Sequence, residues 1–176
     1  SNYLLNFWRN RLGLIVKEYA KFEDVLENKQ PVTDAFLHSI GRNFLIWQDM
    51  YQKEAEDLKI FKNIGNPWGC QINGTLVTPK AIRFHSNMMQ IKNLLSQCNS
   101  KRVGEIGGGY GGLAAYMLHH IDGVKYVDFD LPETLTLAAY HLLLNFPEKK
   151  IFLYGEETFA SNKVDDYDVH LLPNYL

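Results

Sequence analysis

Cysteine is scarce in this chain: Cys70 and Cys98 are its two thiols. Two thiols make neither a disulfide framework nor a C-x-x-C metal site, so both are expected to be reduced, as in a cytoplasmic protein. An excess of one charge is also missing. Eighteen Lys and Arg face twenty Asp and Glu, a formal net charge of −2, with no block of like sign. That argues against a nucleic-acid binder working by bulk electrostatics, which needs a basic face to neutralise phosphates. No apolar run approaches the ~20 residues that span a bilayer, and Ser1-Asn2-Tyr3-Leu4-Leu5 lacks the basic-then-apolar order of a secretory signal. No membrane association is expected. An initiator Met is lacking as well, so Ser1 is read as a cut edge or a tag scar. No His, Asp and Glu grouping has clean metal spacing, and no metal is expected. What the chain does have is material for a core: 46% of its 176 residues are hydrophobic and 13% aromatic, which sets it among folded domains.

Residues 1–100 read as a helical region. Leu4, Leu5, Trp8, Leu12, Ile15, Val16 and Tyr19 recur at spacings of three and four and form one stripe. Pro31 is expected to end this element, with Thr33 or Asp34 capping the next. Phe36, Ile40, Phe44, Trp47, Met50 and Tyr51 then run down one helix face, and Gln52–Asp57 is expected to continue as a solvated helix. Asn73-Gly74 is a hairpin-type turn signal. Thr78-Pro79 signals a helix start, with Thr as N-cap and Pro at the first helical position. These helices would either cover a substrate or mediate dimerisation.

Residues 101–176 change to alternating strands and helices, which implies parallel strands and a Rossmann-like half domain. The expected strands are Val103–Ile106, Lys125–Asp130, Ile151–Tyr154 and Tyr167–Leu172, with helices Leu113–Ile121 and Glu133–Asn145. Four strands would leave the last as an exposed apolar edge. The chain is therefore expected to be a fragment truncated after its fourth strand, or a fold completed by a partner.

Glu105-Ile106-Gly107-Gly108-Gly109-Tyr110-Gly111-Gly112 lies between an expected strand and an expected helix, the context that gives a glycine-rich motif meaning. The glycines allow a tight turn and a close approach of ligand to backbone. Read as G-x-G-x-x-G, the motif is Gly107, Gly109 and Gly112, and the ligand is a dinucleotide, as in an NAD-dependent oxidoreductase. Read as E-x-G-x-G-x-G, it is Glu105, Gly107, Gly109 and Gly111, and the ligand is S-adenosylmethionine. Glu105 favours the second reading, because an acid at the end of a buried strand calls for a cation. The alternative for Glu105 is a carboxylate satisfied by loop amides. Asp130 ends the next strand, about twenty residues on, where an acid accepts from ribose hydroxyls; Asp128 is the alternative on the same face, and an N-cap is the bland role for Asp130. Glu156, after the third strand, could accept from an adenine amine.

With these residues in place, the sequence resembles a class I S-adenosylmethionine-dependent methyltransferase, and more narrowly the sugar O-methyltransferase family. The resemblance rests on Glu105–Ala114, on Asp130–Thr134 with Ala138-Ala139-Tyr140, on Gly65–Trp68, on Thr78-Pro79 with Arg83, and on Leu171–Asn174. It covers roughly residues 60–176 and implies a seven-stranded sheet of which this chain carries the first four strands. It implies that Glu105, Gly107, Gly109 and Gly111 hold the methionine end of the cofactor, that Asp130 binds its ribose, and that Pro173-Asn174-Tyr175 lies near the reacting methyl group. The acceptor would be a sugar or sugar-nucleotide hydroxyl. Arg83 could grip an anionic group on it, and Trp68 could lie against a sugar face. A hydroxyl must lose its proton to attack, so a base is needed; His85 is preferred over His170, and His119-His120 are read as structural. A module that keeps the pocket without catalysis is the non-enzymatic alternative.

Overall fold

The computed structural model describes residues 30–59, 69–156 and 158–176. The Leu4–Tyr19 stripe, the Gly65–Trp68 motif and Trp68 itself lie outside the described residues. Helix α1 (Gln30–Tyr51) buries Ile40, Phe44 and Trp47. It begins before Thr33, and Pro31 stands in its first turn, where a missing N–H and a fixed φ are tolerated. Thr33 and Asp34 therefore lie inside the helix rather than capping it. Met50, from the same apolar set, is exposed.

The polar run after α1 is not a solvated helix. Gln52 takes a left-handed φ of 52° and stops α1. A short 3-10 helix (Ala55–Leu58) follows, opened by the Glu54 amide donating to Asp57 Oδ2 at 2.9 Å. It buries Ala55 and Leu58, and the Tyr116 hydroxyl donates to the Leu58 carbonyl at 2.8 Å. Burial of two apolar residues outweighs the helix propensity of the charges between them.

Strands β1 (Cys70–Ile72) and β2 (Thr75–Val77) form an antiparallel hairpin across Asn73-Gly74, both with φ above zero as a primed turn requires. Helix α2 (Pro79–Leu95) starts as expected, with the Ala81 amide donating to Thr78 Oγ1 at 3.0 Å. Its Ile82 packs with α1, the 3-10 helix and Val77, while its Phe84 and Met88 pack into the larger core. That core gathers α3 (Gly112–His120), α4 (Pro132–Asn145) and one face of a sheet.

The sheet holds β3 (Arg102–Ile106), β4 (Lys125–Asp130), β5 (Ile151–Leu153) and β6 (Val169–Pro173) in the order β3-β4-β6-β5, all parallel. The chain is thus an α/β fold with a parallel sheet and helices. The last strand is not an edge: β6 lies between β4 and β5, and all five of its residues are buried. The described edge on the glycine side is β3, with Arg102, Gly104 and Ile106 exposed. Tyr126, Val169 and Leu171 face α3 and α4. His170 and Phe152 occupy the other face, with the rings of Phe159 and Tyr167. Among the described residues, no helix is long and apolar enough to cross a membrane.

Helix α2 is locked onto α3 at one glycine. A Cβ on Gly112 would strike the Phe84 ring, and Phe84 is itself buried. Gly112→Ala is therefore expected to destabilise the chain by about 1–3 kcal/mol, the scale of overpacking, read as a lower urea midpoint with an unchanged slope.

Candidate functional site

The chain leaves β3 through a turn that only glycine follows easily. Gly107, Gly109 and Gly111 have φ of 79°, 66° and 77°, the left-handed region. The spaces where their side chains would project are open at Gly107 and Gly109. Gly108 is required for a different reason: a Cβ there would run into the Asp128 carboxylate.

The turn's amides point at acids. The Gly108 amide donates to Asp128 Oδ1 at 3.1 Å and the Gly109 amide to Asp130 Oδ2 at 2.8 Å. The Gly107 amide donates to the Phe129 carbonyl at 2.8 Å. Asp130 Oδ1 accepts from the Leu131 amide at 2.7 Å. The N-cap of α4 is Leu131, so Asp130 ties the turn to the strand end rather than capping the helix.

Glu105 lies level with Asp128 in the β3–β4 register and accepts from the Tyr126 hydroxyl at 2.6 Å. Its partner is thus a phenol, not a loop amide. Burial raises its pKa, and the phenol and Arg83 pull the other way. Asp128 is fully buried, and its Oδ2 finds no hydrogen-bond partner among the described residues. Burial pushes its pKa up to about 7; the Gly108 amide opposes this, while Glu105 and Asp130 add to it. Three carboxylates therefore converge on one glycine turn.

The fourth-strand end belongs to the same corner. The Asn174 amide donates to the Asp130 carbonyl at 3.0 Å, and the Tyr175 ring lies 6.4 Å from that of Tyr154. Glu156 is exposed just past β5, two strands from Asp130. Arg83 stands near enough to Glu105 and Tyr110 to act on both carboxyl and phenol electrostatically. Sequence reasoning missed Tyr126, Tyr110 and Lys80. Tyr126 alternates with Asp128 and Asp130 along β4, and Lys80 precedes Arg83 by one helical turn, so both signals were present in the spacing.

The two histidines expected as bases are elsewhere. His85 is 1% exposed, and its Nδ1 accepts from the Trp47 indole at 3.1 Å. Burial pushes its pKa down to about 4. It is a packing residue between α1 and α3, not a base at the turn. His170 is buried on the far face of the sheet, its pKa also lowered by burial. Among the described residues, no group of three His, Cys, Asp or Glu could hold a metal ion.

No protein-family model matches the chain, and no curated protein or solved structure matches it.

Two pH responses follow. The ring of His120 stands edge-on to that of His85, 5.3 Å between centroids, and burial holds His120 at about 4 as well. Both rings fold neutral and charge when unfolded, so their contribution is complete above pH 6.5 and lost as pH falls towards 4. Stability by urea titration is expected to drop on the order of 3 kcal/mol over that interval, and by less in His120→Phe. Asp128 has the opposite sign. Its folded form prefers the proton, so its contribution is present at low pH and lost as pH rises from 3.8 through about 7. Asp128→Asn is expected to be more stable than the parent at pH 8 by about 1–3 kcal/mol, with the difference shrinking at pH 5.

Proposed function

We propose that this chain binds S-adenosylmethionine at the glycine turn and belongs to an O-methyltransferase acting on a sugar or sugar-derivative hydroxyl. One observation carries the cofactor class: Glu105, Asp128 and Asp130 surround the turn, and the amides of Gly108 and Gly109 are spent on two of them. A pyrophosphate needs those amides free and would meet three acids. A ligand carrying an ammonium and a sulfonium meets compensating charge instead. The open spaces over Gly107 and Gly109 fit a ligand lying against the backbone.

Bound there, S-adenosylmethionine would supply an electrophilic methyl group on positive sulfur. Glu105 would hold the ammonium, with Tyr126 fixing its carboxylate in place. Asp130 would turn an oxygen to the ribose hydroxyls, its other contacts already anchored in the Gly109 and Leu131 amides. Asp128 would support the turn from below. The Asn174 amide meets the Asp130 carbonyl on the side of β4 away from β3, and an acceptor role for Asn174 and Tyr175 rests on the resemblance alone. These are positioning roles, and positioning supplies most of the rate in an in-line displacement. The sugar acceptor rests on the resemblance of Glu105–Ala114 and Asp130–Thr134. The Rossmann-like assignment belongs to the same proposal. The unit Arg102–His120 and the acid ending β4 support it, while β3 at a sheet edge departs from the interior place that a doubly wound order gives the first strand. The same reading sets the chain in the cytoplasm, where its free Cys70 and Cys98 would stay reduced.

Calorimetric titration separates the cofactor classes. S-adenosylmethionine is expected to bind and NADH is not. Glu105→Gln, which keeps the shape and removes the charge, is expected to weaken binding by about tenfold or more. Binding of NADH alone, or of neither ligand, would count against the reading.

A further inference from the structure

Lys80 and Arg83 stand one turn apart on the exposed side of α2, beside the glycine turn. Lys80 Nζ lies 4.9 Å from the centre of the Tyr110 ring. Burial lowers the Lys80 pKa, and the Arg83 guanidinium lowers it further. Like charges at this spacing repel, yet among the described residues neither forms an ion pair. Arg83 acts on Glu105 through space without closing onto it. Lys80 thus stands against the Tyr110 ring of the turn, and Arg83, one turn on, lies 5.0 Å from the centre of the Phe84 ring.

An α-amino acid group has the complementary pattern, an ammonium and a carboxylate on one carbon. Glu105 can accept the ammonium only if the attached carboxylate is also accommodated. Left beside Glu105, Asp128 and Asp130, that carboxylate would be repelled; turned towards α2, it would meet Lys80 and Arg83, which form no ion pair among the described residues. A guanidinium also presents paired donors in the plane that a carboxylate accepts.

Building on the S-adenosylmethionine reading above, we propose that Arg83, seconded by Lys80, receives the carboxylate of the cofactor's methionine moiety while Glu105 receives its ammonium. Arg83 is thereby a cofactor-binding residue rather than the acceptor-gripping one that the sequence suggested, and α2 forms one wall of the cofactor site.

Three probes isolate the amino acid group: S-adenosylmethionine and S-adenosylhomocysteine carry it, and 5′-methylthioadenosine lacks it. Each is titrated calorimetrically into the full chain and into Arg83→Ala, Arg83→Gln and Lys80→Ala, with a melting curve to verify folding. The Arg83 variants are expected to lose about tenfold to a hundredfold in affinity for the first two probes, the scale of a charge-assisted hydrogen bond. Affinity for 5′-methylthioadenosine is expected to stay within about twofold. Lys80→Ala is expected to show the same selectivity with a smaller loss. Unchanged S-adenosylmethionine binding in both Arg83 variants would overturn the proposal and return Arg83 to an anionic acceptor. Equal weakening of all three probes would overturn it too, marking Arg83 as a support of the turn. A parent chain that binds none of the probes would overturn the cofactor reading itself, and this inference with it.

Discussion

The Asp128 carboxylate, buried beneath the glycine turn, is the constraint on which the rest of this corner depends. It has no solvent contact, and among the described residues its one side-chain hydrogen bond comes from the Gly108 amide. Any side chain at Gly108 would collide with it. The turn must therefore pass directly over β4, and the left-handed residues on either side of Gly108 let it do so. Gly111 then launches α3, which is buried from Gly112 to Leu118. The Phe84 ring fills the place of the missing Gly112 side chain and seats α2. A buried acid with one oxygen unmet is costly. It sits where the turn crosses β4, just before α3 begins and α2 is seated on it through Phe84 and Gly112.

Features carried by neighbouring residues were legible in the sequence. Strand Lys125–Asp130 has the bounds that alternation assigns it, Thr78 caps the helix that Pro79 opens, and Asn73-Gly74 turns the hairpin. Each depends on chemistry within a few residues. The place of the last strand was not legible, because pairing order is a contest among distant segments that no local pattern encodes. β6 took the interior, where its five residues are all buried. The end of α1 was misread for a related reason: Gln52–Asp57 looks like a charged helix face, and only the burial of Ala55 and Leu58 against residues far along the chain bends it.

The site divides in the same way. That the glycines make a turn, and that Glu105 and Asp130 flank it, follows from residue type and spacing. Where the turn's amides would point does not, since it depends on which of two acids on one strand lies beneath the backbone. The contrast between Arg83 and His85 is sharper. Two residues apart on a helix are turned ~200° from each other, so they cannot share a site. Arg83 is exposed and lies over the Phe84 ring, while His85 meets Trp47, and the choice between them depended on which face of α2 met α1.

Burial disfavours the charged forms of Glu105, Asp128 and His141 at this corner. His85 of α2 packs against Trp47 of α1 and His120 of α3, and His141 lies buried against the Tyr110 ring with its pKa lowered by burial. That imidazole stands beside the turn, and burial favours its neutral form. Glu105 and Asp128 are likewise kept above the ordinary carboxyl range by burial, and among the described residues no ion pair neutralises them. A cation brought against these acids would favour their ionised forms, and ionised acids would hold the cation more tightly. By reciprocity, ligand binding and carboxyl ionisation strengthen each other. On the proposed reading, the cost of burying acids without counter-charge is the part of the fold that a charged ligand would relieve.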